Sequence, residues 1–127
     1  RARDDPVAQL RGSVLAALHA PGKDPQARRV CEIALFKVEH GNALRGVRER
    51  RLNGLRGRVD NVERGFRSAA RRHAWAGAVS PRVAALGMQS LIDGLISNWM
   101  LDPTAFDLAR VGEQAIDAYL RGVQAKA

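Results

Sequence analysis

Asp93 interrupts the apolar run LIDGLISNWML at residues 91–101. An ionised carboxylate among apolar side chains is costly unless it is paired or hydrogen-bonded. Two uses are open. Asp93 anchors a polar or cationic group of a ligand, or it accepts from an arginine of a neighbouring helix or from a backbone N–H. Gln89 stands one helical turn earlier on the same face and adds an amide, for a pocket or for an interface. Cys31 is the single cysteine, so no intrachain disulfide forms. In an apolar segment it reads as a small hydrophobe, since nothing near it in sequence marks an activated thiolate.

Other chemistry lacks its residues. His19, His40 and His73 fall on separate segments, and no His-x-x-x-His pair offers a zinc site. No glutamate is followed three residues later by histidine, as a di-iron bundle requires. Glu39-His40 reads as a pair at a helix end. No strand alternation exists to carry a Gly-rich phosphate loop. We therefore expect neither an enzyme nor a bound metal or cofactor.

The elements that must position these residues are all helical. Asp5-Pro6, Asp24-Pro25, Ser80-Pro81 and Asp102-Pro103 each join a capping side chain to a proline, which marks a helix start. The first expected helix runs over about 6–19, with a stripe of Val7, Leu10, Val14 and Leu18, and ends at Pro21-Gly22. The second, at 25–40, is apolar round most of its circumference and is expected to be largely buried. The third, at 42–73, carries a narrow seam of Leu52, Leu55, Val59, Val62, Phe66 and Ala69 among arginines. A loop at 74–79 holds Trp75, expected as a hydrophobic plug.

The fourth helix, at 81–101, has two apolar faces. Ala85, Gln89, Ile92, Asp93 and Ile96 lie on one; Ala84, Met88, Leu91, Leu95 and Trp99 lie on the other. Both must be covered, one by the core and the other by a second subunit. The fifth helix begins within 104–107 and runs to 123, with a stripe of Leu108, Val111, Gly112, Ala115, Ile116, Tyr119 and Val123. The fold class is all-α, a five-helix bundle-like single domain over residues 1–127.

With 46% hydrophobic and 27% charged residues, the chain is globular rather than disordered. The apolar run at 83–101 is broken by Gln89, Ser90, Asp93, Ser97 and Asn98, so no membrane span is expected. No signal peptide opens the chain, and a cytoplasmic location is expected. A net charge of +8 is compatible with phosphate contacts. With aromatics at 5%, the basic residues lack the stacking partners of single-strand binders. A basic helical nucleic-acid-binding module is thus the alternative reading, and a helix-bundle enzyme a more distant one.

Two blocks carry a resemblance. VCEIALFKVEHGNALRGVRERR at 30–51 and GMQSLIDGLISNWMLDPTAFDL at 87–108 resemble the C-terminal domain of the AcrR- and TtgR-like multidrug-efflux repressors of the TetR family. The resemblance covers nearly all of the chain from Pro25 onward. It implies a hydrophobic ligand pocket and a homodimer in which the last two helices form a four-helix bundle with a second subunit. It also implies a helix-turn-helix domain, expected upstream of Arg1, that binds operator DNA. Matched by position, the pocket wall is Cys31 and Leu35, then Leu55, Val59, Val62 and Phe66, then Gln89, Ile92, Asp93 and Ile96. Cys31 and Leu35 stand where some relatives are polar, which implies a greasier pocket. The interface is Ala84, Met88, Leu91 and Leu95 with Val111, Ala115, Ala118 and Tyr119. The expected function is ligand sensing: a hydrophobic or amphipathic effector releases the full-length dimer from its operator.

Overall fold

A computed structural model describes residues 5–36, 45–73 and 79–124, and at 34–36, 45–48 and 50–52 the backbone course alone. Among these residues there are five helices and no strand. α1 spans Pro6–Lys23 and is capped by Asp5, whose Oδ1 accepts from Val7 N–H at 3.0 Å. It continues through the expected stop at Pro21-Gly22. So late in a helix, Pro21 gives up one hydrogen bond, and its ring is buried in return. Asp24 N–H closes the helix on the Ala20 carbonyl at 2.9 Å.

Asp24 then opens α2, Pro25–Phe36, its Oδ1 accepting from Gln26 N–H. The expected continuation at 37–40 lies outside the described residues. The expected all-round burial of this helix is corrected: Val30 is 59% and Ile33 47% exposed. Among the described residues α2 packs chiefly on α1 and less on α4, which leaves one side of it open. One fastening is the Arg28 guanidinium, 5.2 Å above the Trp99 ring.

α3 spans Arg45–His73. Its seam holds where side chains are described: Val59, Phe66 and Ala69 are buried, and Leu55 and Val62 pack against the core. The side chain of Leu52 and the loop with Trp75 lie outside the description. α4, Pro81–Leu101, starts where Ser80 Oγ accepts from Val83 N–H. α5 is Leu108–Gln124. Asp102-Pro103 does not open it. Asp102 ends α4, and its carboxylate takes the N–H and hydroxyl of Thr104. Asp107 opens α5, its carbonyl accepting from Val111 N–H.

α1 and α4 are the hubs, since α2, α3 and α5 each pack on both of them. The shared core joins Leu10, Val14 and Leu18 of α1 to Phe66, Met88, Ile92, Ile96, Ile116 and Leu120. Each such side chain contributes about 1.5–3 kcal/mol on burial. Gly112 lets α5 approach α1, because a Cβ there would stand 2.8 Å from Leu18 Cδ1. Arg11 of α1 clamps the same pair of helices. Its Nε and Nη2 donate to both oxygens of Asp117 at 2.7 and 3.2 Å, and Nη2 donates to Glu113 at 2.9 Å. This pairing lifts the Arg11 pKa and lowers that of Asp117, in each case chiefly through the hydrogen bond between them.

Candidate ligand-binding groove

A groove of about 510 Å³ runs between α1, α3 and α4. Its first wall is one face of α1: Pro6, Gln9, Leu10, Ser13, Val14 and Ala17 recur at helical spacing. Its second is α3, which supplies Arg58, Asn61, Val62, Arg64, Gly65 and Ser68. α4 closes it with Gln89 and Ile92. The deepest positions are mostly apolar, for Leu10, Val14 and Ile92 are buried beside Gln89, while the rim is polar and exposed. Such an apolar floor with a few polar groups is the usual make-up of small-molecule sites.

Gln89 is only 5% exposed, and its Nε2 donates to Asp93 Oδ1 at 3.0 Å. The buried polar group of α4 is therefore satisfied within its own helix, and among the described residues Asp93 receives a hydrogen bond from that amide and from no arginine. Asp93 is not part of the groove wall. Its charge acts on Cys31 of α2. Burial first, and then Asp93, push the Cys31 thiol pKa up, against a smaller opposing pull from Arg58. A thiol so placed is a weak nucleophile.

Residues 5–125 match the TetR-type family model of the MAATS-type transcriptional repressor, C-terminal region. The chain belongs to this family. It is 28% identical over 116 residues to the HTH-type transcriptional regulator TtgR of Pseudomonas putida, covering 91% of this chain and 55% of that protein. It is equally similar to the probable HTH-type transcriptional regulator ArpR of Pseudomonas putida. To the regulator AcrR of Shigella flexneri it is 26% identical over 106 residues, 84% of this chain and 49% of that one. The chain thus spans about half the length of the curated relatives it matches.

Of the pocket residues expected in this TetR-type chain, Val62, Gln89 and Ile92 come together on the groove. Val59, Phe66 and Ile96 are buried in the core instead. Leu55 and Cys31 are half-buried against that core. Leu35 lies on α2, and its side chain is outside the description. The greasier pocket wall expected from α2 does not line this groove; α1 does, with uncharged polar side chains. Sequence reasoning missed the α1 face. The available signal was its charge pattern, since Arg11 is the one charged residue between Val7 and Ala17.

The expected interface face of α4 needs a correction. Ala84 and Met88 are 1% and 0% exposed, sealed inside this chain's own core, so neither offers surface to a partner. Leu91, Leu95 and Ala115 are half-buried. Tyr119 is engaged within the chain: its hydroxyl donates to the Ala84 carbonyl at 2.8 Å. Its ring also crosses Gly87 so closely that a Cβ there would collide with the hydroxyl. Burial raises the Tyr119 pKa, which keeps that donor protonated. The apolar surface left open on these two helices is Val83, Leu86 and Leu101 of α4 with Val111 and Ala118 of α5.

Among the described residues, no three metal-ligating side chains gather. No described helix is long and apolar enough to cross a membrane.

Proposed function

We propose that this chain is the effector-sensing and dimerising part of a cytoplasmic transcriptional repressor, and that it performs no catalysis. A hydrophobic or amphipathic small molecule enters the groove between α1, α3 and α4. It binds one arrangement of the dimer better than the other, and that difference alone moves the equilibrium. In the full-length protein, two helix-turn-helix heads then lose the spacing of about one DNA turn that paired half-sites require. Control of multidrug efflux is the role that the resemblance to efflux repressors implies.

The observation that carries this reading is a groove of about 510 Å³, sized for a drug-like molecule, in a chain of a repressor family. Dimerisation is the second half of the proposal. The two subunits meet about a two-fold axis through the exposed apolar residues of α4 and α5, Val83, Leu86, Val111 and Ala118, flanked by Leu91, Leu95 and Ala115.

Thermal unfolding in the presence of amphipathic aromatic compounds tests the groove. Binding to the folded chain raises Tm, by an amount that grows with the logarithm of ligand concentration above Kd. Ser13→Trp places an indole on the exposed wall of the groove, away from the core, and is expected to abolish the rise. A rise that survives Ser13→Trp undiminished puts the effector elsewhere.

A further inference from the structure

The charges around the groove are one-sided. Among the described residues, its walls hold two guanidinium groups, Arg58 and Arg64, and neutral donors on Gln9, Ser13, Asn61 and Ser68, but no carboxylate. The carboxylates nearest in sequence are engaged elsewhere: Asp5, beside Pro6, caps α1 and pairs with His73. Asp60 and Glu63 of α3 hold Arg82 of α4 at 3.0 and 3.2 Å, and Glu63 also takes Arg67. Glu113 and Asp117 are spent on Arg11, and Asp93 takes the Gln89 amide while standing outside the groove wall. Four of the arginines outside the groove, Arg11, Arg28, Arg67 and Arg82, have a carboxylate partner. Arg58 and Arg64 have none among the described residues; Arg64 donates only to the neutral Asn61 amide. Among the described residues, two guanidinium groups without a carboxylate partner thus stand beside an apolar floor of Leu10, Val14 and Ile92.

We propose that this groove selects amphiphiles with an anionic head, a carboxylate or sulfonate on an apolar body. The inference rests on the reading of the groove as the effector site and adds the charge of its ligand. The apolar body lies on the floor. The head meets the planar donor forks of the arginines, which suit a carboxylate's two oxygens. A cationic head of the same size meets two like charges and no acid. The overall charge of +8 adds a long-range attraction for anions, weakened by salt.

The test is calorimetric titration of the 127-residue chain with three matched ligands, 2-naphthoate, 2-naphthalenemethanol and 2-naphthylmethylammonium. The naphthoate is expected to bind about five- to tenfold tighter than the alcohol, and the ammonium more weakly than either. That preference shrinks when salt rises from about 50 to about 500 mM. In the Arg58→Gln, Arg64→Gln double variant the naphthoate-to-alcohol affinity ratio falls to near one. Equal affinities in the unaltered chain, a preference for the ammonium, or a naphthoate preference that persists in the double variant overturns the proposal while leaving an effector groove in place. Failure of all three ligands to bind overturns both.

Discussion

At the residue scale, the charge of Asp93 acts on the half-buried thiol of Cys31. Asp93 accepts the Gln89 amide, so its charge is held in place, and that charge disfavours the Cys31 thiolate. The sign can be tested. Because the folded thiol pKa is raised, less thiolate is present at pH 8 than in an unfolded chain, and alkylation by iodoacetamide is slow. Asp93→Asn removes one of the two raising influences, so its thiol is expected to react about two- to fivefold faster. An unchanged rate would mean that burial alone controls the thiol. The same two residues stood on different helices in the sequence, and nothing in their spacing linked them.

At the element scale, α1 is tied to α5 by charge as well as by Leu18 lying over Gly112. Asp117 has a folded pKa below its ordinary value of 3.8 because Arg11 donates to it. A lowered carboxylate pKa stabilises the fold in full above the unfolded value. That contribution is lost as pH falls through the folded value. Asp117→Asn is therefore expected to destabilise the chain by about 1 kcal/mol at pH 7, the upper end for a partly exposed pair. The difference from the unaltered chain should shrink as pH is taken from 7 to about 2, as read by urea unfolding at the two pH values. A gap of equal size at both would show that the α1–α5 contact owes nothing to charge. Element boundaries were readable where a capping side chain acts through neighbouring backbone, as at Asp5, Asp24 and Ser80. Asp102 has the same residue types, but its oxygen went to Thr104 and made a turn rather than a helix start. Local sequence cannot tell those two outcomes apart.

At the scale of the whole molecule, the two apolar directions of α4 are unequal. Met88 faces inward, where a charge would be buried without a partner, so Met88→Glu is expected to unfold the chain. Leu86 is 46% exposed, and Leu86→Glu is expected to leave the helical spectrum and Tm nearly unchanged while splitting the proposed dimer. Light scattering at tens of micromolar reads the result, since association depends on protomer concentration. A Leu86→Glu chain that stays dimeric moves the interface away from this face of α4.

The sequence by itself determined the helices, the capping residues Asp5, Asp24 and Ser80, the α3 seam through Val59 and Phe66, and the two-sided apolar character of α4. These follow from covalent neighbours and from the 3.6-residue period, which sort side chains onto faces. Tertiary structure alone decided which neighbour covers each face. It put α1 rather than α2 along the groove, turned Ala84 and Met88 inward, left Val30 and Ile33 exposed on α2, and paired Asp60 and Glu63 of α3 with Arg82. The reason is that a helix's period gives the angle between its residues but not the phase at which it docks. For α4, apolar on two sides, the pattern leaves that phase open, and the phase adopted is the one in which Tyr119 lies across Gly87.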